Sequence, residues 1–227
     1  MIAVLKKEFK NYFLSMVGYV VIAAFLFVFS VFFYLTAVTN GSVDLGALYY
    51  YTALYGLIII VPLLTMRMFA EERKSGTEQL LLTSPVSMVG VVFGKFLAAM
   101  GVIIITLLMS FMYFFIVKFF GEPNIQAVLV HIFGFILISA AAISIGMFAS
   151  SITENQIISG IITVAFLVMT LFIQDLNSVF ESLSLMNFYS YFSRGVISLK
   201  EVVGLVSFTA MFISFTIIVM QRHRLVK

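Results

Sequence analysis

This sequence predicts an all-α polytopic membrane protein, and three observations carry the prediction. First, 63% of its 227 residues are hydrophobic and 10% charged, with mean hydropathy +1.17, more apolar surface than a soluble domain of this size could bury. Second, the apolar residues gather into six runs, each near the length of about 20 that a helix needs to cross a hydrocarbon core of about 30 Å. Third, most remaining charges collect in short segments between and beyond the runs. Only short loops are left over, so no soluble catalytic domain fits.

The elements follow in order. Met1 to Leu14 carries Leu5, Phe9, Tyr12 and Phe13 at helical spacing, with Lys6, Lys7, Lys10 and Asn11 on the other side. This is a basic amphipathic elbow helix suited to a headgroup layer, which either anchors the first span or touches a partner. The expected spans are Val17 to Val38, Ala47 to Met66, Phe96 to Val117, Ala127 to Ala149, Ile157 to Ile173 and Val202 to Met220. The first contains no ionisable residue. The second holds Pro62, which should kink rather than break it, because neighbouring helices can satisfy the freed carbonyl. The fifth is the shortest.

Between the second and third spans, Arg67 to Lys95 reads "RMFAEERKSGTEQLLLTSPVSMVGVVFGK", with five charges in eight residues: Glu71, Glu72, Arg73, Lys74 and Glu78. Each would cost on the order of 3 kcal/mol at a bilayer centre, so the segment lies outside the hydrocarbon. Glu78 to Thr83 favours helix and Pro85 ends it. A short helix with charges at its start and leucines behind it is a docking element for a soluble partner. After the fifth span, Asp175 to Glu201 contains a stripe of Leu176, Val179, Phe180, Leu183 and Met186, which predicts an external helix, interfacial or re-entrant, ending near Arg194–Gly195.

Basic residues orient the chain. With both termini in the cytosol, Lys6, Lys7, Lys10, Arg67, Arg73, Lys74, Lys95, Arg222, Arg224 and Lys227 lie inside, ten of thirteen, and only Lys118, Arg194 and Lys200 lie outside. The net charge of +3 serves that orientation and points to no nucleic acid. The absence of cysteine excludes disulfides and thiolate metal sites. No cleavable signal peptide is expected, since the first apolar run is a full span.

Several motifs resemble active sequences without their context. "GVVFGK" (Gly90 to Lys95) has three residues between its glycines where a phosphate loop has four, and Phe96 stands where Ser or Thr belongs; Gly90 and Gly94 read as a helix-packing pair. "VGY" (Val17 to Tyr19) lacks a preceding pore helix. His131, the one ionisable residue within an expected span, reads as hydrogen-bonded structure rather than a ligand. No His-Glu-x-x-His helix or nucleophile elbow is present, and no metal site or catalytic residue is expected. Ion-driven carriers place carboxylates or broken helices at the midplane, and here no Asp, Glu, Lys or Arg lies mid-span. Work on any cargo must enter through the charged cytosolic segment.

"FAEERKSGTEQLLLTSPVSMVGVVFGKFLA" (Phe69 to Ala98) resembles the signature between the second and third spans of ABC-2 type transporter permeases. "GYVVIAAFL" (Gly18 to Leu26), "SSITENQIISGII" (Ser150 to Ile162) and "FSRGVISLKEVVGLVSF" (Phe192 to Phe208) resemble its gliding-motility-type branch, so the likeness spans most of the chain in matching order. The resemblance implies a half-transporter in the bacterial cytoplasmic membrane, pairing with an identical or related permease and docking two cytosolic ATP-binding cassette ATPases. ATP and Mg would be held by those partners, and this chain would bind no cofactor. In the family the segment matching Glu71 to Thr83 is the coupling helix that enters a groove on the ATPase. That carry-over places the acidic pair on Glu71 and Glu72, with Arg73, Lys74, Gly76, Thr77, Glu78 and Gln79 completing the docking segment, Gly76 allowing two backbones to approach closely. Glu154, Asn155 and Gln156 form a second cytosolic contact. In the family the second and fifth helices line the cavity, which assigns Tyr55, Ser159 and Thr163 to the pathway; for the hydroxyls, bonding back to their own helix is the competing reading. The mostly apolar wall suits an amphiphilic or lipid-linked cargo, with mechanotransmission as another output. The alternatives are a stand-alone channel or carrier and a structural membrane anchor.

Overall fold

The computed structural model describes residues 1–40, 44–78, 87–173 and 184–226, and every regular element among them is helical. α1 (Ile2–Leu14) leads into α2 (Val17–Asn40). α3 (Leu45–Tyr51), a wider π-helical turn (Thr52–Gly56) and α4 (Leu57–Thr65) form one continuous rod, followed by the short α5 (Ala70–Lys74). Then come α6 (Met88–Phe120), α7 (Ile125–Ile152), α8 (Gln156–Phe172), α9 (Leu185–Ser193) and α10 (Leu199–Val226). Side-chain oxygens cap five of these starts. Asp44, Ser87, Asn124, Asn155 and Ser184 each accept from a backbone N–H one or two residues inside the following helix, satisfying donors the helix cannot.

Among the described residues five helices are long and apolar enough to cross a membrane: Val17–Thr36, Leu45–Lys74, Met88–Phe119, Ile125–Ile152 and Leu199–His223. The remaining expected span, the fifth, is α8, whose 17 residues measure about 25 Å at 1.5 Å per residue, short of a full hydrocarbon core. Most boundaries move by only a few residues from those expected. The exception is the third span, which starts at Met88 instead of Phe96 because Ser87 caps it and Lys95 is folded into the protein rather than flanking it.

The α3–α4 rod and α7 form the inner pair, with α2, α6, α8 and α10 around them, and the outer faces keep large apolar side chains such as Phe27, Leu108, Ile161 and Ile218 exposed, as lipid contact requires. Close approach on the inner side depends on small residues. A Cβ at Gly146 on α7 would stand 2.2 Å from the Thr65 hydroxyl oxygen and 2.9 Å from Thr65 Cβ. Replacing Gly146 by Val therefore forces α4 and α7 apart. The expected cost is about 1–3 kcal/mol, read as a lower melting temperature of the detergent-solubilised protein, whereas Gly121→Val, with nothing nearby to meet, leaves it unchanged.

α1 behaves as its periodicity predicts. Leu5, Phe9, Tyr12 and Phe13 are half-buried, while Lys6, Lys7, Lys10 and Asn11 are exposed. The apolar face lies on α6, where glycines let it sit close: a Cβ at Gly94 would meet Val4 at 3.0 Å and one at Gly101 the Phe9 ring at 2.8 Å. Gly94 thus packs against the elbow helix.

At the opposite end of the bundle, α9 is docked onto α3 and α7 through Leu185, Met186, Tyr189 and Phe192, all buried. His131 is part of that seam: its Nδ1 donates to the Phe192 carbonyl at 2.7 Å, the structural role expected of it. The chain turns away at Gly195 (φ +76°), close to the expected end. The earlier part of the expected external helix, Leu176, Val179, Phe180 and Leu183, lies outside the described residues.

Candidate functional site: an ionic cluster at the charged end of the bundle

The α4 rod stops at Thr65, and residues 66–69 run irregularly into α5. A helix end leaves carbonyls and amides without intrahelical partners, and here side chains from three other elements supply them. The Tyr12 hydroxyl on α1 donates to the Leu64 carbonyl at 3.2 Å. Burial and the nearby Glu8 carboxylate push the Tyr12 phenol far above its ordinary range, so it remains a donor at any physiological pH. From α7, the Ser150 hydroxyl accepts from the Phe69 and Ala70 amides at 3.1 and 3.2 Å, capping α5 in place of a local residue, and donates to the Met66 carbonyl at 3.4 Å. Lys95 on α6 donates to the Met68 carbonyl at 2.8 Å.

Lys95 is the centre of the arrangement. Its side chain is 2% exposed, and its ammonium meets Glu72 Oε1 at 2.8 Å and Glu8 Oε1 at 3.3 Å while sitting 5.3 Å from the Phe69 ring centroid. Two carboxylates, one carbonyl and an aromatic face replace its hydration, which is what a buried ammonium requires. One cation thereby joins α1, the irregular link, α5 and α6.

A second knot lies beside it. Arg73 points two guanidinium nitrogens at the carboxylate of Glu78, both at 3.4 Å. Its Nη2 also donates to the Ser151 carbonyl and to His223 Nδ1, each at 2.8 Å. Because guanidinium only donates, His223 Nδ1 is the acceptor and carries the lone pair. Arg73 and Glu78 side chains are 8% and 5% exposed. This knot joins α5 to the last turns of α7 and to α10.

The expected docking residues therefore divide into two sets. Glu72, Arg73 and Glu78 turn inward and tie the segment to its own bundle. Glu71, Lys74, Gly76 and Thr77 are exposed. Gly76 has nothing within 4 Å of where a Cβ would stand, so within the chain no close backbone approach explains it; its φ of +72° does, a conformation that terminates α5 and favours glycine. Gln79 lies outside the described residues. Glu154 and Asn155 are exposed and Gln156 half-buried in the turn between α7 and α8. That turn follows Ser151 directly, and α5 packs on both helices, so the two expected contact regions stand side by side.

The pathway residues fall differently. Ser159 and Thr163 are fully buried, on the α8 face turned toward α4 and α7, and the Thr163 hydroxyl donates to the Ser159 carbonyl of its own helix at 2.8 Å. Within this chain they line no open route; the helix-bonding reading holds for Thr163. Tyr55 is 46% exposed beside Tyr51, and both rings stack on Phe32, at 5.6 and 5.7 Å, as residues four apart on one helical face can.

Sequence reasoning missed Glu8, Tyr12, Ser150 and His223 as members of the site and counted Lys95 as a loop charge. Only Glu8 left a signal: it is the one acid on the elbow helix and falls in register with Leu5, Phe9 and Tyr12.

A bundle of long apolar helices, with a charged segment between its second and third spans locked to four others, defines the chain as a polytopic membrane protein. Over residues 2–216 it matches the ABC-2 family transporter proteins, and it belongs to that family. It is thus a permease subunit of an ABC transporter, a class of membrane subunit that works with an ATPase subunit. No curated protein matches the chain.

Proposed function

We propose that the chain is one half of the membrane part of an ATP-driven exporter or mechanotransmitter, and that the segment from Glu71 to Gln79 couples it to the ATPase. The supporting observation is the double ionic knot. A push on the exposed face of α5 is not absorbed by a loose loop, because Lys95 and Arg73 tie that segment to α1, α6, α7 and α10. Glu71, Lys74 and Thr77 then form the surface an ATPase meets, with Glu154 to Gln156 as the adjoining contact. In this reading the charged end faces the cytosol of a bacterial cell, in keeping with the distribution of lysine and arginine. Two permease copies, identical or related, pair around the route and two ATPases bind ATP and Mg²⁺ beneath them. The largely apolar exposed faces suit an amphiphilic or lipid-linked cargo, and the likeness to the gliding-motility-type branch fits a mechanical output equally.

The outward set provides the test. Reversing both exposed charges, Glu71→Lys with Lys74→Glu, leaves the inward knots intact. It is expected to abolish co-purification of the cognate ATPase and permease-stimulated ATP hydrolysis in proteoliposomes, with the melting temperature of the isolated permease unchanged. Full stimulation by the doubly reversed protein would defeat the docking assignment. Glu72→Lys is a poor probe of docking, because it would set a second ammonium against Lys95.

A further inference from the structure

Two cavities meet beside the elbow helix. The larger, about 530 Å³, opens between α1 and the segment from Leu64 to Thr77. Its charged lining comprises three carboxylates, Glu8, Glu71 and Glu72, and three cations, Lys7, Arg67 and Lys95, so formal charge cancels while both signs are present. The smaller, about 210 Å³, is lined by Met16, Val17, Val20, Val21, Leu63 and Met66, with Arg67 the single polar residue. Val17 and Arg67 belong to both. An apolar groove at the start of one span therefore runs into a polar chamber of balanced charge, with an arginine at the junction.

We propose that this paired cavity is a binding site for a phospholipid with a primary-amine headgroup. Such a molecule presents an ammonium, then a phosphate, then acyl chains, and the cavity presents their complements in the same order. Glu71 and Glu72 face the ammonium. Glu72 has acceptor capacity to spare, since its Oε1 serves Lys95 while its Oε2 has no hydrogen-bond partner among the described residues. Arg67 faces the phosphate. It is exposed and makes no hydrogen bond or ion pair among the described residues, and a guanidinium suits phosphate oxygens in a two-pronged fork. Lys7 adds a second cation from α1. The groove of Met16, Val20 and Leu63 takes the start of an acyl chain. A lipid with a trimethylated amine keeps the positive charge but loses the N–H donors; one with a glycerol headgroup loses the cation and leaves the carboxylates facing a net negative ligand.

Glu71 and Thr77 are shared with the proposed ATPase surface, so the permease alone, with no ATPase present, is the reagent. Delipidated protein in detergent is mixed with phosphatidylethanolamine, phosphatidylcholine or phosphatidylglycerol of equal chain length, and bound lipid is counted by native mass spectrometry. One phosphatidylethanolamine per chain is expected, at least ten-fold favoured over the other two. Arg67→Ala should reduce that binding about ten-fold, with the lipid-free melting temperature unchanged because Arg67 makes no hydrogen bond or ion pair among the described residues. Val20→Phe should reduce binding by filling the groove while keeping the headgroup preference. Equal retention of the three lipids, no stoichiometric adduct, or an Arg67→Ala protein with undiminished binding would each overturn the proposal.

Discussion

Replacing Lys95 by Met is expected to produce the largest loss of any single substitution at the charged end. The change removes a cation whose side chain is 2% exposed, and it leaves Glu8 and Glu72 facing each other with nothing between them and the Met68 carbonyl without its donor. Removing one partner of a buried ion pair typically costs about 3–5 kcal/mol, largely because the other charge stays buried and unpaired. The lower part of that range applies here, since Glu8 and Glu72 are 14% and 17% exposed and retain some water. The measurement is thermal unfolding of the solubilised permease together with ATPase stimulation, and both should fall. The double variant Lys95→Met with Glu72→Gln should regain part of the melting temperature, because one of the two stranded carboxylates is gone, without regaining stimulation, because the link from α5 to α6 stays broken. Full recovery of stimulation would show that Lys95 serves stability alone.

Arg73→Ala is the second. It deletes the donors to Glu78, to the Ser151 carbonyl and to His223 in one step, releasing α5 from α10 and leaving the Ser150 cap as its remaining hydrogen-bonded tie to α7, while Lys95 still holds it to α1 and α6. The expected outcome is partial: the ATPase still binds and the permease still inserts, but transport per ATP hydrolysed falls at least ten-fold. Arg73→Lys should not rescue it. One compact ammonium cannot reach partners arrayed around a planar fork. Normal transport per ATP with either variant would remove the α10 arm from the coupling scheme.

The contrast between these two knots and the sequence reveals what kind of information a single chain exposes. Periodicity and run length found α1 and most span boundaries, and of the buried face of α9 only Met186, because each depends on residues within a few turns of one another. Gly195, and the cap residues Asp44, Asn124 and Asn155, act just as locally. The knots do not. Arg73 and His223 lie 150 positions apart, and nothing in the spacing of either announces the other. Lys95 misled for a physical reason: a lysine beside an apolar run is ordinarily the end of a span, and only the fold brings Glu72, Glu8 and the Met68 carbonyl around it. The resemblance assigns Ser159 and Thr163 to the pathway, and within this chain their own helix and its neighbours enclose them. Gly76 was singled out, but for backbone approach rather than for its positive φ.

The inward placement of Lys95, Arg73 and Glu78 also sorts the forces at this end of the protein by their exposure to counterions. Mobile salt screens charges in solvent over about 8 Å at physiological ionic strength, and it reaches a buried pair far less. On the proposed docking, the contact made through Glu71 and Lys74 weakens as salt rises, while the inward bonds of Lys95 and Arg73 weaken far less. In that scheme attachment of the two subunits and stiffness of the link are governed by different physical variables, so a change of ionic strength would alter how often the two engage more than how firmly α5 is held to its own bundle.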